Sequence, residues 1–289
     1  MFPIIGILTG VVSAAGWGVG DFLAGKSSQK SGPYQAAFLS VLFGLAVTAV
    51  VYLVFVRDFG IPSPDIFIRL TILVLGLSAA QILFFKALAI GPVGIVATIG
   101  SAYSLITVPL ALGLLGEHLT IGQLAAVATI ILGVILTSIQ IGGKSVKLIS
   151  KRGVILALGA MTIWGVSFAF LDPVVEALGW VKAFSLEYIL MVIWELIILG
   201  VMGIGFRKLV APGFNRLVVA NSIAFLFGNA AFNIGLEKGL VSIVTPISSA
   251  YPVITVLLAW LFLKEHLKRN QILGIILVIT GVVLLAASG

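Results

Sequence analysis

The sequence predicts an all-α integral membrane protein with ten transmembrane helices, arranged as a 5+5 inverted-topology internal repeat. Three observations predict it. The 289-residue chain is 61 % hydrophobic and 9 % charged, with a mean hydropathy of +1.26, whereas a soluble domain carries about 25 % charged residues. Its apolar residues fall into ten stretches of about 20, the length a helix needs to cross a roughly 30 Å hydrocarbon core. The second half of the chain also repeats the first. High hydrophobicity excludes disorder. The 33 glycines show no three-residue period, which excludes collagen. The absence of cysteine excludes disulfides, thiol catalysis and thiolate metal sites.

The first half holds stretches at residues 3–24, 34–56, 68–90, 93–115 and 120–140. The second holds 153–175, 183–206, 216–237, 240–263 and 270–287. The first stretch lacks a preceding basic segment and reads as a retained span rather than a cleaved signal. Its Gly6, Gly10, Gly16 and Gly20 supply a small-residue face for close helix packing. Lys26–Gly32, Arg57–Phe67, Gly91–Pro92 and Gly116–Leu119 are short links, so the chemistry lies within or at the edge of the bilayer. Pro109 in span 4, and Pro246 and Pro252 in span 9, predict kinks or unwinding there. Thr120-Ile-Gly-Gln123 fits a capping box opening span 5, and Asn270 and Gln271 are placed to open span 10 similarly.

A shift of 148 residues aligns Gly91–Ile139 with Gly239–Ala287 without a gap, and 22 of the 49 positions are identical. Ser101-Ala102-Tyr103 falls on Ser249-Ala250-Tyr251, and Glu117-His118-Leu119 on Glu265-His266-Leu267. A shift of 147 sets Trp17-Gly18-Val19 on Trp164-Gly165-Val166. The repeats are residues 1–142 and 143–289. Five spans each means that the second copy enters the membrane from the opposite side. That architecture suits alternating access around a site near the midplane.

Ten spans in a 5+5 duplication, Trp-Gly near the start of each half, and an Ala-x-Tyr/Pro run before the Glu-His-Leu link resemble the drug/metabolite transporter (DMT) superfamily. EamA-type exporters are the nearest fit, over nearly the whole chain. The resemblance implies a metabolite transporter with both termini in the cytoplasm.

Polar side chains inside spans mark a pathway or a partner. Gln81 in span 3 falls on Asn229 in span 8. Ser222, Asn229 and Asn233 lie within about 40° on one helix face. Tyr103 and Tyr251 stand in spans 4 and 9 with Thr107 and Thr255 four residues on, and Ser101 and Ser249 beside them. These groups are candidates to line a substrate cavity; the alternative is interhelical hydrogen bonding. Trp17 and Trp164 are candidate cavity walls or packing residues. Asp21 and Lys86 reach the same membrane side, as a static pair, a gate, or a lysine extended to the interface. Lys86 is also a candidate substrate contact. Glu195, mid-way along span 7, is a desolvated carboxyl that could carry a proton or serve structurally as a hydrogen-bonded acid. Glu187 reads as interfacial.

Gly18-Val19-Gly20-Asp21 resembles an intramembrane aspartyl protease motif, but no second aspartate stands in a matching context. His118 and His266 lie in links, which argues against an intramembrane serine protease. No phosphate-binding loop and no filter-like run point to an ATP-driven pump or a channel. The expected partners are a small-molecule substrate, the lipid bilayer and, as a candidate coupling ion, the proton. No nucleic acid, cofactor or metal is expected, and the chain reads as a monomer in the cell membrane. The cargo reads as neutral or zwitterionic, an amino acid or a relative, in export; an organic-phosphate exchanger and a non-transporting sensor or assembly factor are the alternatives. Counting basic residues in the links gives twelve on one side and four on the other. That places both termini outside, opposite to the orientation the resemblance implies.

Overall fold

The computed structural model describes residues 2–56, 60–91, 93–138, 151–263 and 268–287. The expected repeat boundary at 142/143 and the residues Lys264, Glu265 and His266 lie outside the described residues. Spans 1 to 3 are α1 (Phe2–Ser31), α2 (Pro33–Phe55) and α3 (Pro64–Ile90). Span 4 is two helices, α4 (Val93–Ser101) and α5 (Ser104–Leu114), and span 5 is α6 (Ile121–Ser138). In the second half, α7 (Lys151–Leu178) and α8 (Trp180–Val201) are followed by the short α9 (Phe206–Val210) and by α10 (Arg216–Lys238). Span 9 is again a pair, α11 (Val241–Ser248) and α12 (Tyr251–Leu263), and α13 (Arg269–Ala287) closes the chain. Among the described residues nine segments are long and apolar enough to cross a membrane, and α6 is a shorter apolar helix. The protein is a multi-pass membrane protein.

The first link differs from the sequence expectation. Lys26–Ser31 is not a link but the last turns of α1, which leaves Gly32 alone as the connection. Gly32 has φ +90 and Gly179, its counterpart at a shift of 147, has φ +75, a region that side-chain-bearing residues rarely enter. Each glycine reverses the chain in one residue, and Pro33 at the start of α2 adds a preset φ.

The breaks in spans 4 and 9 do occur, but not at the prolines expected to cause them. Pro109 lies inside α5 and Pro246 inside α11, while the chain leaves the helix at Ala102-Tyr103 and Ser249-Ala250. Only Pro252, the second residue of α12, sits at a break. The backbone there tightens: Ala102 N donates to Ile99 O at 3.2 Å, and Ala250 N to Ile247 O at 3.1 Å. Ser101 Oγ donates to Thr98 O at 2.8 Å and Ser249 Oγ to Pro246 O at 2.8 Å, the same i−3 bond at equivalent positions. Short hydroxyl side chains compete in this way with helical pairing.

The halves interleave. Helix α1 packs mainly on α10, and its repeat counterpart α7 packs on α3. The pairs α6 with α13 and α2 with α8 join equivalent spans across the pseudo-two-fold axis. Gly16 allows the α1–α10 approach, since a Cβ there would stand 2.6 Å from Gly228 N. Three side-chain bonds run along the same seam: Trp17 to Asn229, Asn221 to Ser27 at 3.0 Å, and Asn215 to Ser31 at 2.8 Å. The outer faces carry Leu53, Phe55, Ile121 and Phe262, the apolar surface that lipid covers.

Because the obstacle at Gly16 is backbone, Gly16→Ala should lower stability by about 1–3 kcal/mol, the range for overpacking. Gly113, inside α5 with nothing within 4 Å of an added Cβ, is the control, and Gly113→Ala should leave the melting temperature unchanged or raised. Thermal unfolding of the detergent-purified variants checks the pair; equal melting temperatures would contradict the α1–α10 contact.

Candidate functional site

The two helix breaks face each other near the centre of the bundle, each held by a helix of the opposite half. Thr107 Oγ1 donates to Gly165 O at 2.8 Å, and Thr255 Oγ1 to Gly18 O at 3.2 Å. The Trp-Gly motif thereby acquires its physical reason. A Cβ on Gly165 would stand 2.9 Å from Tyr103 O, and one on Gly18 would stand 2.7 Å from Tyr251 O. The glycines let α7 and α1 lie directly against the turns, and the tryptophans beside them point to the middle.

Around this crossing lies a cavity of about 100 Å³, several times the roughly 10–15 Å³ that one water centre requires. Helix α1 contributes Trp17 and Asp21; α2 contributes Ser40 and Val41; α3 contributes Leu77, Gln81, Phe84 and Phe85. Tyr103 and Tyr251 enter from the two breaks. Trp164, Phe168 and Leu171 come from α7, and Glu187, Tyr188 and Met191 from α8. Helix α10 supplies Phe225, Asn229, Phe232 and Asn233.

Eight of the residues singled out from sequence therefore line one cavity: Trp17, Asp21, Gln81, Tyr103, Trp164, Asn229, Asn233 and Tyr251. Others stand elsewhere. Ser101 and Ser249 shape the breaks, as described, and Ser249 Oγ also bonds Ser104 Oγ at 3.1 Å. Lys86 does not meet Asp21; its Nζ lies over the Tyr34 ring, 5.4 Å from the centroid. Glu195 is fully buried in α8 away from the cavity, and neither carboxyl oxygen has a hydrogen-bond partner among the described residues. Ser222, expected on the polar stripe of span 8, turns back to its own helix and donates to Val218 O at 2.6 Å.

Ser40, Glu187 and Tyr188 are the polar cavity residues that the sequence reading did not place there, and the apolar wall, Phe168 and Phe232 among it, was not singled out either. Glu187 is not interfacial but 6 % exposed and on the cavity wall. A usable signal existed: at the 147-residue shift, Ser40-Val41 falls on Glu187-Tyr188, and all four line the cavity.

Within the cavity the polar groups form a short chain. Trp17 Nε1 donates to Asn229 Oδ1 at 2.6 Å, and Asn229 Nδ2 donates to Tyr188 Oη at 3.0 Å. Asn233 Nδ2 reaches Asn229 O at 3.1 Å and Glu187 Oε2 at 3.5 Å. The Ser248 hydroxyl is engaged with Val244 O at 2.8 Å, so Tyr103 donates to Ser248 Oγ at 3.1 Å. Trp17 stacks on Phe168 with centroids 5.8 Å apart and meets Tyr103 and Tyr251 edge-on. The arrangement can hold a small solute between ring faces, with amides, hydroxyls and carboxyls directed at its polar groups.

Outside the cavity, Glu117 caps a helix of the other half. Its two carboxylate oxygens accept from Val241 N at 2.8 Å and Ser242 N at 2.9 Å, the start of α11. The expected capping box at span 5 is present: Thr120 N donates to Gln123 Oε1 at 2.9 Å and Gln123 N to Thr120 Oγ1 at 3.2 Å. At span 10, Gln271 Oε1 accepts from Lys268 N at 2.9 Å, whereas Asn270 Nδ2 donates across to Leu136 O at 2.9 Å.

The sequence model of the EamA-like transporter family matches residues 4–139 and again 151–287. An uncharacterized protein of Methanocaldococcus jannaschii is 43 % identical over 70 residues, 24 % of this chain and 51 % of that protein. A protein of Archaeoglobus fulgidus named as an uncharacterized transporter is 34 % identical over 73 residues, 25 % of this chain and 26 % of that protein. The matched region thus spans about half or less of these relatives' length. A protein of known crystal structure superposes with a TM-score of 0.73, covering 96 % of this chain and 95 % of that one at 18 % identity, a likeness of fold.

Asn229→Ala should cost about 1–3 kcal/mol, because it strips the partner from a buried indole N–H and from Tyr188 together. Gln81 makes only a 3.4 Å bond to Ala37 O, so Gln81→Ala should cost under about 1 kcal/mol. Thermal unfolding in detergent separates them, and equal losses would contradict the Trp17–Asn229–Tyr188 chain.

Proposed function

The chain belongs to the EamA-like transporter family of the drug/metabolite transporter superfamily, and from that premise we propose that it moves a small polar metabolite through the central cavity of a cell membrane by alternating access, in the exporting direction. The cargo is an amino acid or a related amine-bearing compound. One observation carries this reading: equivalent groups of the two halves stand in unlike states. Trp17 donates to Asn229 at 2.6 Å. Their counterparts are Trp164 and Gln81, yet Trp164 Nε1 makes no hydrogen bond among the described residues and packs edge-on against Phe84, 4.9 Å between centroids. Gln81 turns instead to the Ala37 carbonyl.

Two inverted copies in unlike conformations are what one end state of an alternating cycle requires. The opposite end state forms the Trp164–Gln81 bond and releases Trp17 from Asn229. A modest difference between the two states suffices, since a few kcal/mol leaves the minor state populated at roughly 0.1–10 %. An organic-phosphate cargo would need cations around the cavity, and Lys86 is directed to Tyr34 instead.

The test is the profile of metabolites released by cells making the parent chain, against cells making the Asn229→Ala, Tyr251→Phe double variant at equal expression. A solute enriched in the medium only with the parent is the expected result and identifies cargo and direction together. The same release from both would take the cavity out of the path.

A further inference from the structure

We propose that the cavity selects organic cations: its preferred solute carries an ammonium group and no carboxylate of its own. The inference rests on the transport reading and narrows its cargo, from amino acids and related amines to amines that carry no carboxylate. Two carboxyl groups line the cavity, Asp21 on α1 and Glu187 on α8. Asp21 is 3 % exposed and Glu187 6 % exposed, and among the described residues Asp21 Oδ2 and Glu187 Oε1 have no hydrogen-bond partner. Among the described residues no lysine, arginine or histidine lines the cavity. Buried polar atoms are normally paired, so two unpaired carboxyl oxygens lining one cavity are an unmet demand for a donor or a positive charge.

The remaining wall fits the same ligand. Trp17, Phe168 and Phe232 form one cluster, with centroids 5.8 Å apart between Trp17 and Phe168 and 4.9 Å between Phe168 and Phe232. Aromatic faces beside carboxylates are the environment that holds quaternary and protonated amines, through the ring quadrupole and through direct charge. A carboxylate on the solute would meet Asp21 and Glu187 with no cation to answer it, and that mismatch discriminates against zwitterions as well as anions.

The repeat sets these two residues apart from the framework that the halves share. The skeleton of the cavity is shared between the halves: Trp17 with Trp164, Tyr103 with Tyr251, Phe84 with Phe232. The carboxyls are not. Asp21 falls on Phe168 and Glu187 on Ser40. An element needed only for the packing of inverted copies would be expected in both.

Three probes of nearly the same shape test the proposal on the purified full chain: choline, glycine betaine and 3,3-dimethylbutanol. Choline is a permanent cation, betaine adds a carboxylate to the same trimethylammonium head, and the alcohol replaces the charged nitrogen by carbon. Titration calorimetry should show choline binding at least about tenfold more tightly than either of the others. Asp21→Asn and Glu187→Gln, near-isosteric changes, should each narrow the choline-to-betaine ratio toward one. Betaine or the alcohol binding as tightly as choline overturns the proposal, and so does the absence of binding by all three. If a variant fails to fold, the ranking in the parent chain still decides. The two readings fail separately: no choline preference with a cargo found by metabolite release removes only the cation selectivity, whereas choline binding without any released solute removes transport.

Discussion

A helix interrupted at membrane depth frees backbone groups where lipid offers no hydrogen bond, so such a break persists only if protein satisfies it. Among the described residues two such breaks stand at Ala102-Tyr103 and Ser249-Ala250, and much of the bundle is arranged around them. Serines at equivalent positions bond the carbonyls three residues back. Threonines one turn on from the tyrosines tie each break to a glycine carbonyl of the opposite half. The glycines are there because a Cβ would collide with the carbonyls of Tyr103 and Tyr251. Three of the repeated sequence features, Ser-Ala-Tyr, the following threonine and Trp-Gly, are thus parts of one junction seen twice.

The same junction makes the halves mutually dependent. Each break is held by the opposite half, and the start of α11 is capped by Glu117 from the first half. A five-helix repeat taken alone would leave these backbone groups open. Thr107–Gly165 and Thr255–Gly18 are both formed, so the two breaks are alike, and the difference between the halves appears at the neighbouring tryptophans, where Trp17 bonds Asn229 and Trp164 packs on Phe84.

Much of this was legible in the sequence because apolar length and the internal repeat are long-range patterns that single residues do not disturb. The ten spans, the inverted duplication and eight cavity residues came from them. What was not legible depended on side-chain direction. Pro109 and Pro246 break helical hydrogen bonds wherever they stand, yet the chain departs from the helix at Ser-Ala-Tyr, where tertiary bonds to α7 and α1 select the site. Lys86 shares a membrane side with Asp21 but extends to Tyr34, a choice of rotamer that spacing does not encode. Glu187 looked interfacial because it lies near the start of its span; the packing of α8 on α2 and α3 places that part of it on the cavity wall. The 147-residue shift pairs it with Ser40, but that becomes readable only once the Trp-Gly match at the same shift is combined with the position of α2 on the wall.

Matched and unmatched positions then carry different meanings. Where the halves agree, as at Trp17 and Trp164 or Tyr103 and Tyr251, the residue serves something that must occur in both orientations: a pivot, a wall, a close crossing. Where they disagree at the cavity, as at Asp21 against Phe168 and Glu187 against Ser40, the side chain is free of that double demand, and under the proposed function it is the part that meets a solute with no two-fold symmetry. A pseudo-symmetric scaffold separates the two kinds of demand. The machinery of exchange can stay constant between the copies while the cavity surface departs from it one residue at a time, so that changing the cargo need not rebuild the hinge.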